Sequence, residues 1–228
     1  RFEKTVSKDK VFNTDVMVTA HKDNLFVQGF NASVSAMFNS YSNNSSGVFG
    51  ANRSRFAVPN VYSLSNFVDR NNTEFKETRY DVRSESVLGM LNLSYKDYLF
   101  LDITGRNDVN STLPKDNNSY FYPSANAAFV FTEAFDLGKI KNVLSYGKFR
   151  LAYGKSANAT DPYQLDATYN VGSFGGQATN SLPGIIPPYN LRFQTSSSIE
   201  TGLNLGFLND RVNLDVTYYN ILSENQIM

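Results

Sequence analysis

The chain has no cysteine, no tryptophan and one histidine among 228 residues. Without cysteine there is neither a disulfide framework nor a thiolate metal site. With a single imidazole, His21, a Ser-His-Asp triad has one possible centre, and His21 sits beside a tight-turn sequence rather than in a pocket-forming context. Net charge is also missing. Lys plus Arg is 21 and Asp plus Glu is 21, so the clustered basic field of a nucleic-acid binder is not expected. No run approaches the roughly 18 apolar residues of a membrane helix. The longest, such as Ala127–Phe131, are strand-sized. The first ten residues are charged and polar, unlike a signal peptide, so the chain is expected to be a mature or internal piece.

Familiar catalytic and metal patterns are missing too. No GxSxG, HExxH, GxGxxG or Walker sequence occurs, and no calcium loop of the D-x-[DN]-x-[DN]-G type. Ser145 with Lys148, and Ser7 with Lys10, match S-x-x-K, but that pattern fixes only two positions. The sequons at Asn31, Asn92, Asn110 and Asn158 follow from an Asn/Ser/Thr-rich composition. Neither an enzyme, a cofactor nor a metal is expected.

What is abundant is Phe (18) and Tyr (14), arranged with a period of two. Phe30, Ala32, Val34, Ala36 and Phe38 alternate with Asn31, Ser33, Ser35 and Asn39. Leu99, Leu101 and Ile103 oppose Asp102, Thr104 and Arg106. Phe149, Leu151 and Tyr153 oppose Lys148 and Arg150, and Val212, Leu214 and Val216 oppose Asn213 and Asp215. Leu165, Ala167, Tyr169 and Val171 show the same alternation against Asp166, Thr168 and Asn170. Strand side chains alternate between faces, so each segment has one apolar and one polar face. About eight to nine such strands are expected, many near the 9–11 residues that a tilted strand needs to cross a bilayer. The fold class is therefore all-β, an antiparallel transmembrane β-barrel segment.

The connections alternate between tight and long. Lys22-Asp23-Asn24, Lys96-Asp97 and Asn209-Asp210 are tight. Tyr41–Asn72, Asn107–Ser119, Ser156–Asp166 and Gly172–Thr195 are long and polar. Thr132–Asn142 is intermediate, with room for a helical turn, and belongs with the short side. Short turns on one rim and long loops on the other is the outer-membrane pattern. Tyr120-Phe121-Tyr122 and Tyr218-Tyr219 suit either stacking on sugar rings or a membrane-interface girdle, and the girdle is the favoured reading. One rival is a soluble or cell-surface all-β protein such as a carbohydrate-binding sandwich, which calls for shorter strands; another is an outer-membrane barrel that serves adhesion or secretion scaffolding without transport.

Four ordered segments resemble one family, the SusC/RagA-like TonB-dependent outer-membrane transporters. The first is Gly105-Arg-Asn-Asp-Val-Asn-Ser-Thr-Leu-Pro114 followed by Ser119–Ser124. The others are Ala57–Asn66, Phe149–Gly154 with Asp161-Pro-Tyr163, and Glu200–Asn220. Val109 and Asn110 depart from the usual Trp and Ser, and Gly154–Asn158 lacks the usual second glycine. The resemblance implies that residues 1–228 are part of one barrel domain of about 22 strands, with the plug domain and terminal strands absent. It implies TonB-dependent uptake of large nutrients, oligosaccharides or peptides, in the cell outer membrane of a Gram-negative, Bacteroidetes-like cell. It implies as partners a SusD-like surface lipoprotein, the TonB complex through the plug, and outer-membrane lipid, with no nucleic acid. Candidate substrate or lid contacts are the loop residues Tyr163, Phe174, Tyr189 and Arg192, with Arg106 and Asp108 at the top of their strand.

Overall fold

The computed structural model describes residues 2–184, 186 and 190–226. An eight-stranded antiparallel sheet dominates. In chain order its strands are β1 (Phe2–Lys22), β2 (Phe30–Asn52), β3 (Thr73–Tyr95), β4 (Leu99–Asn110), β5 (Ser119–Val130) and β6 (Leu144–Asn158). A separate two-stranded hairpin follows, β7 (Asn170–Phe174) with β8 (Gln177–Ser181). The main sheet then resumes with β9 (Gln194–Phe207) and β10 (Val212–Glu224). Its order is β1-β2-β3-β4-β5-β6-β9-β10, a meander interrupted only by the β7–β8 excursion. The chain divides into two compact units, Arg1–Thr14 with Ser40–Ser84, and Asp15–Asn39 with Glu85–Met228.

In the second unit the register sorts the alternating residues into rows. Leu99, Phe129, Phe149, Leu203 and Val216 stand side by side across five strands. Leu101, Ala127, Leu151, Thr201 and Tyr218 form the next row. On the opposite face Asp102, Asn126, Ala152, Glu200 and Tyr219 are aligned, the row of Phe100, Ala128, Arg150, Gly202 and Thr217 comes next, and Lys148, Asn204 and Asp215 form the row beyond it. The residues expected on the apolar face thus do share one face. They are not buried: Phe149 is 45% exposed and Leu151 is 47% exposed. A water-soluble sandwich covers such a face with a second sheet. A barrel wall leaves it to lipid.

The turns explain why the strands reverse where they do. Lys96 and Asp97 both adopt positive φ (46° and 57°), and Tyr98 N–H donates to Tyr95 C=O at 3.2 Å. Two consecutive left-handed residues match the twist of the flanking strands in a tight hairpin. Leu208, Asn209 and Asp210 turn the chain in the same way, with φ of 55°, 59° and 60°. Between β5 and β6, α1 (Phe131–Ala134) and a 3-10 turn at Gly138–Asn142 fill the intermediate connection as the sequence suggests. Thr132 accepts a 3.1 Å bond from Gly147 N–H and is buried, pinning α1 to β6.

Three expectations are corrected. The strands are longer than the hydrophobic pattern: β2 runs to Asn52 and β3 starts at Thr73, shortening the Tyr41–Asn72 loop to residues 53–72. Ladder pairing is a backbone property and continues past the last apolar side chain. The first connection is residues 23–29, longer than the tight Lys22-Asp23-Asn24 turn expected; Gly29 N–H donates to Asn24 Oδ1 at 2.6 Å inside it. Finally, Leu165–Val171 is not a strand of the main sheet; only its last two residues, Asn170 and Val171, are strand, and they open β7. Residues 159–169 carry no strand, Tyr163 has φ of 62°, and the edge of β6 is already occupied by β9 from Leu144 to Asn158. Alternation without a free partner does not make a strand.

Candidate functional site

The antiparallel order of the second unit puts the connections 111–118 and 159–193 on one rim and 23–29, 96–98, 131–143 and 208–211 on the other. The long-loop rim has its own small core. Leu113, Leu191 and Phe193 are buried together, with Tyr120, Ala157, Ala159 and Leu165 packed against them. The turn after β4 is preformed by Asn110, whose Oδ1 accepts from Thr112 N–H and Thr112 Oγ1, both at 2.9 Å.

Directly below this core lies a hydrogen-bonded cluster on the polar face. Arg106 and Asp108 are two apart on β4 and so point the same way. Arg106 Nε donates to Asp108 Oδ1 at 2.7 Å, and Arg106 Nη2 to Ser86 Oγ on β3 at 3.1 Å. Tyr122 OH donates to Asp108 Oδ2. The register places Tyr122 opposite Arg106 and Tyr120 opposite Asp108. Tyr120 stacks on Tyr122, ring centres 6.1 Å apart, and meets Phe193 at 5.7 Å. One chain of contacts therefore runs from the wall into the loops.

Tyr120-Phe121-Tyr122 is consequently not a single girdle. Phe121 alone turns to the apolar face, where it lies over Gly105: a Cβ there would stand 3.0 Å from its ring. The two tyrosines serve the polar face. Sequence reasoning missed Tyr122 and Ser86 because their roles depend on register, although the i, i+2 spacing of Arg106 and Asp108 signals their shared face.

A second polar array crosses β6, β9 and β10. Arg150 Nη2 donates to Asp215 Oδ1 at 2.9 Å and to Thr217 Oγ1 at 3.2 Å. Asn204 Nδ2 donates to Asp215 Oδ2 at 2.6 Å. Arg150 must pass over β9 to reach β10, and Gly202 leaves the space: a Cβ there would stand 2.9 Å from Arg150 Nη2. Phe100, Asp102, Asn126, Glu200 and Thr217 join Arg150 around a hollow of about 240 Å³.

Of the candidate contact residues, Arg106 and Asp108 are joined in the cluster above. Tyr163 is exposed in the 159–193 connection, and Phe174 is 83% exposed at the tip of the β7–β8 hairpin. Arg192 is exposed between the buried Leu191 and Phe193. Tyr189 lies outside the described residues. No contact joins Tyr163, Phe174 and Arg192 into one site among the described residues. Nor does any group of three or more His, Cys, Asp or Glu there fit a metal ion.

Comparison with known proteins agrees with this geometry. Residues 5–228 match the family described as TonB dependent receptor-like, beta-barrel. The TonB-dependent receptor P26 of Formosa agariphila is 36% identical over 140 residues, which is 59% of this chain and 14% of that protein. The TonB-dependent receptor P3 of the same organism is 28% identical over 146 residues, 61% of this chain and 14% of that protein. The matched stretch is thus about one seventh of those relatives' length. Among solved structures, the RagAB peptide importer in its open-open state superposes with a TM-score of 0.78 at 17% identity, over 95% of this chain and 24% of that one. The RagAB peptide transporter gives the same score and identity over 97% and 24%. At that identity the likeness is one of fold. The chain belongs to the TonB-dependent receptor-like β-barrel family, a family of outer-membrane receptors and transporters.

Proposed function

We propose that this chain is a wall segment of an importer that takes up large nutrients, peptides or oligosaccharides, with energy delivered through TonB. Residues 1–228 belong, in this reading, to one barrel domain, and the plug comes from the remainder of a polypeptide several times longer. The observation that carries the proposal is the two-faced sheet, apolar on one side and lined on the other by Arg150, Asp102, Glu200 and Asp215, under a rim of long loops. A polar interior is common to transmembrane barrels, and it is the family of receptors and transporters that favours uptake over adhesion.

The wall performs no chemistry. Recognition falls to the loops, which a rigid sheet positions. Tyr163 and Phe174 offer aromatic faces to sugar rings or peptide side chains, and Arg192 offers a fixed cation. A SusD-like lipoprotein seated on the same rim would act as the lid. The likeness to RagAB, described as a peptide importer, favours a peptide cargo. The cell would be Gram-negative.

The test is accumulation of labelled oligopeptides and oligosaccharides by cells carrying or lacking the receptor, with and without a protonophore. Receptor-dependent, protonophore-sensitive uptake is expected. Uptake that is equal in both strains would reject the importer reading.

A further inference from the structure

The unit formed by residues 1–14 and 40–84 carries a cationic pocket that the uptake reading does not use. Its register is fixed by side-chain contacts. Ser45 Oγ donates to Asp9, so these residues are opposite each other on β1 and β2. Lys8 therefore stands opposite Ser46, and Lys10 opposite Asn44. Between β2 and β3, Asn52 Nδ2 donates to Thr73 Oγ1 at 2.8 Å, and a Cβ at Gly47 would stand 2.9 Å from Thr78 Oγ1. Both contacts give the same register, which sets Arg79 opposite Ser46. Lys8, Lys10, Asn44, Ser46 and Arg79 accordingly line one shallow pocket of about 260 Å³.

The charge on this face is one-sided. It carries Lys4, Lys8, Lys10, Arg79 and Arg83 against Glu77 and Asp81. The opposite face of the same strand segments carries Lys76 against Glu3, Asp9 and Glu74. Asp81 is engaged by Arg83 at 3.3 Å. Among the described residues, no ion pair joins Lys8, Lys10 or Arg79 to a carboxylate, although Glu77 stands two residues from Arg79 on the same face. Two ammonium groups, a guanidinium, a hydroxyl and an amide form a donor set suited to a phosphate group.

The surroundings indicate where that phosphate comes from. Phe12, two residues from Lys10 on the same face of β1, is 67% exposed. Val6, Val48 and Phe75 share that face of the unit and are 58%, 50% and 68% exposed. The cations thus lie within an exposed apolar surround, the setting of a lipid headgroup rather than of a free anion. We propose that Lys8, Lys10 and Arg79 bind a phosphate of an outer-leaflet lipid headgroup on the outside of the wall. This rests on the family's membrane location and not on the uptake reading.

The test uses the intact receptor in neutral detergent and native mass spectrometry, with diphosphoryl lipid A as probe. Wild-type receptor is expected to retain it, and to retain its dephosphorylated form at least roughly tenfold less well, since each cation contributes to binding an anionic headgroup. The K8Q/K10Q/R79Q variant should show the same loss for the phosphorylated lipid, and K8R/K10R/R79K should not. K139Q/K141Q, which removes two exposed lysines from the other unit, should bind as wild type. Heat-modifiable migration would verify folding of each variant. Equal retention of both lipid forms by wild-type receptor, or equal loss in K139Q/K141Q, would overturn the proposal. So would full competition by inorganic phosphate at equimolar concentration, which would mark a free-anion site.

Discussion

The wall formed by β4, β5, β6, β9 and β10 and the loop cluster above it put their apolar residues in opposite places. In the wall, Phe149 and Leu151 stand nearly half exposed on a continuous apolar face. In the loops, Leu113 and Phe193 are each 4% exposed, tucked under Tyr120 and Leu165. The loop cluster is built as a soluble protein is, with its apolar groups turned away from water. The wall relies on an apolar solvent to cover what it leaves bare. The difference shows where water begins along the strands, and it assigns distinct kinds of damage to the two regions.

The largest effect is expected on the wall. Leu151→Arg places a cation in the middle of the apolar face and should cost up to about 4 kcal/mol in unfolding from lipid vesicles. Thr104→Arg, on the polar face where Thr104 bonds to Ser124, should cost far less. Similar costs for the two substitutions would erase the distinction between the faces.

Next comes the loop cluster. Phe193→Ala removes a buried ring from a small core that can partly collapse, so about 2–3 kcal/mol of local stability should be lost. The damage should stay local: proteolysis within residues 159–193 should accelerate while heat-modifiable migration of the barrel is unchanged. Loss of barrel migration would show that the two regions are not separable.

The link between the regions is weaker still. Asp108→Asn removes the charge that Arg106 Nε and Tyr122 OH both address, and about 1–2 kcal/mol should be lost. Uptake should fall more than wall stability does, because Tyr120 and Tyr122 support Phe193. The smallest expected effect is at the loop tips. Tyr163→Ala with Phe174→Ala should leave stability within about 0.5 kcal/mol and reduce uptake alone. A stability loss there would place these rings in the packed cluster instead.

The wall was the more legible region from sequence. Period-two alternation marks its faces, and Lys96-Asp97 and Asn209-Asp210 mark its turns, because both signals are local. The same alternation misled at Leu165–Val171, where β9 had already taken the edge of β6. Strand ends were underestimated since polar residues such as Ser42–Ser46 pair as well as apolar ones. The loop cluster was almost illegible. Leu113 and Phe193 are 80 residues apart, and nothing in either neighbourhood names the other. The candidate site divides in the same way. Arg106 and Asp108 announce a shared face by their spacing. Their partners Ser86 and Tyr122, and the passage of Arg150 over Gly202 to Asp215, exist only once the register is known.

The absence of native cysteine in this chain permits the most direct test. Single cysteines at Phe149, Arg150, Leu151 and Ala152 on β6, each carrying a small fluorophore, would be read in vesicles containing a lipid-borne quencher. The labels at Phe149 and Leu151 should be quenched strongly, and those at Arg150 and Ala152 weakly, a period of two along one strand. Uniform quenching, or shielding of all four from both lipid and water, would contradict a wall that faces lipid on one side and a polar lumen on the other.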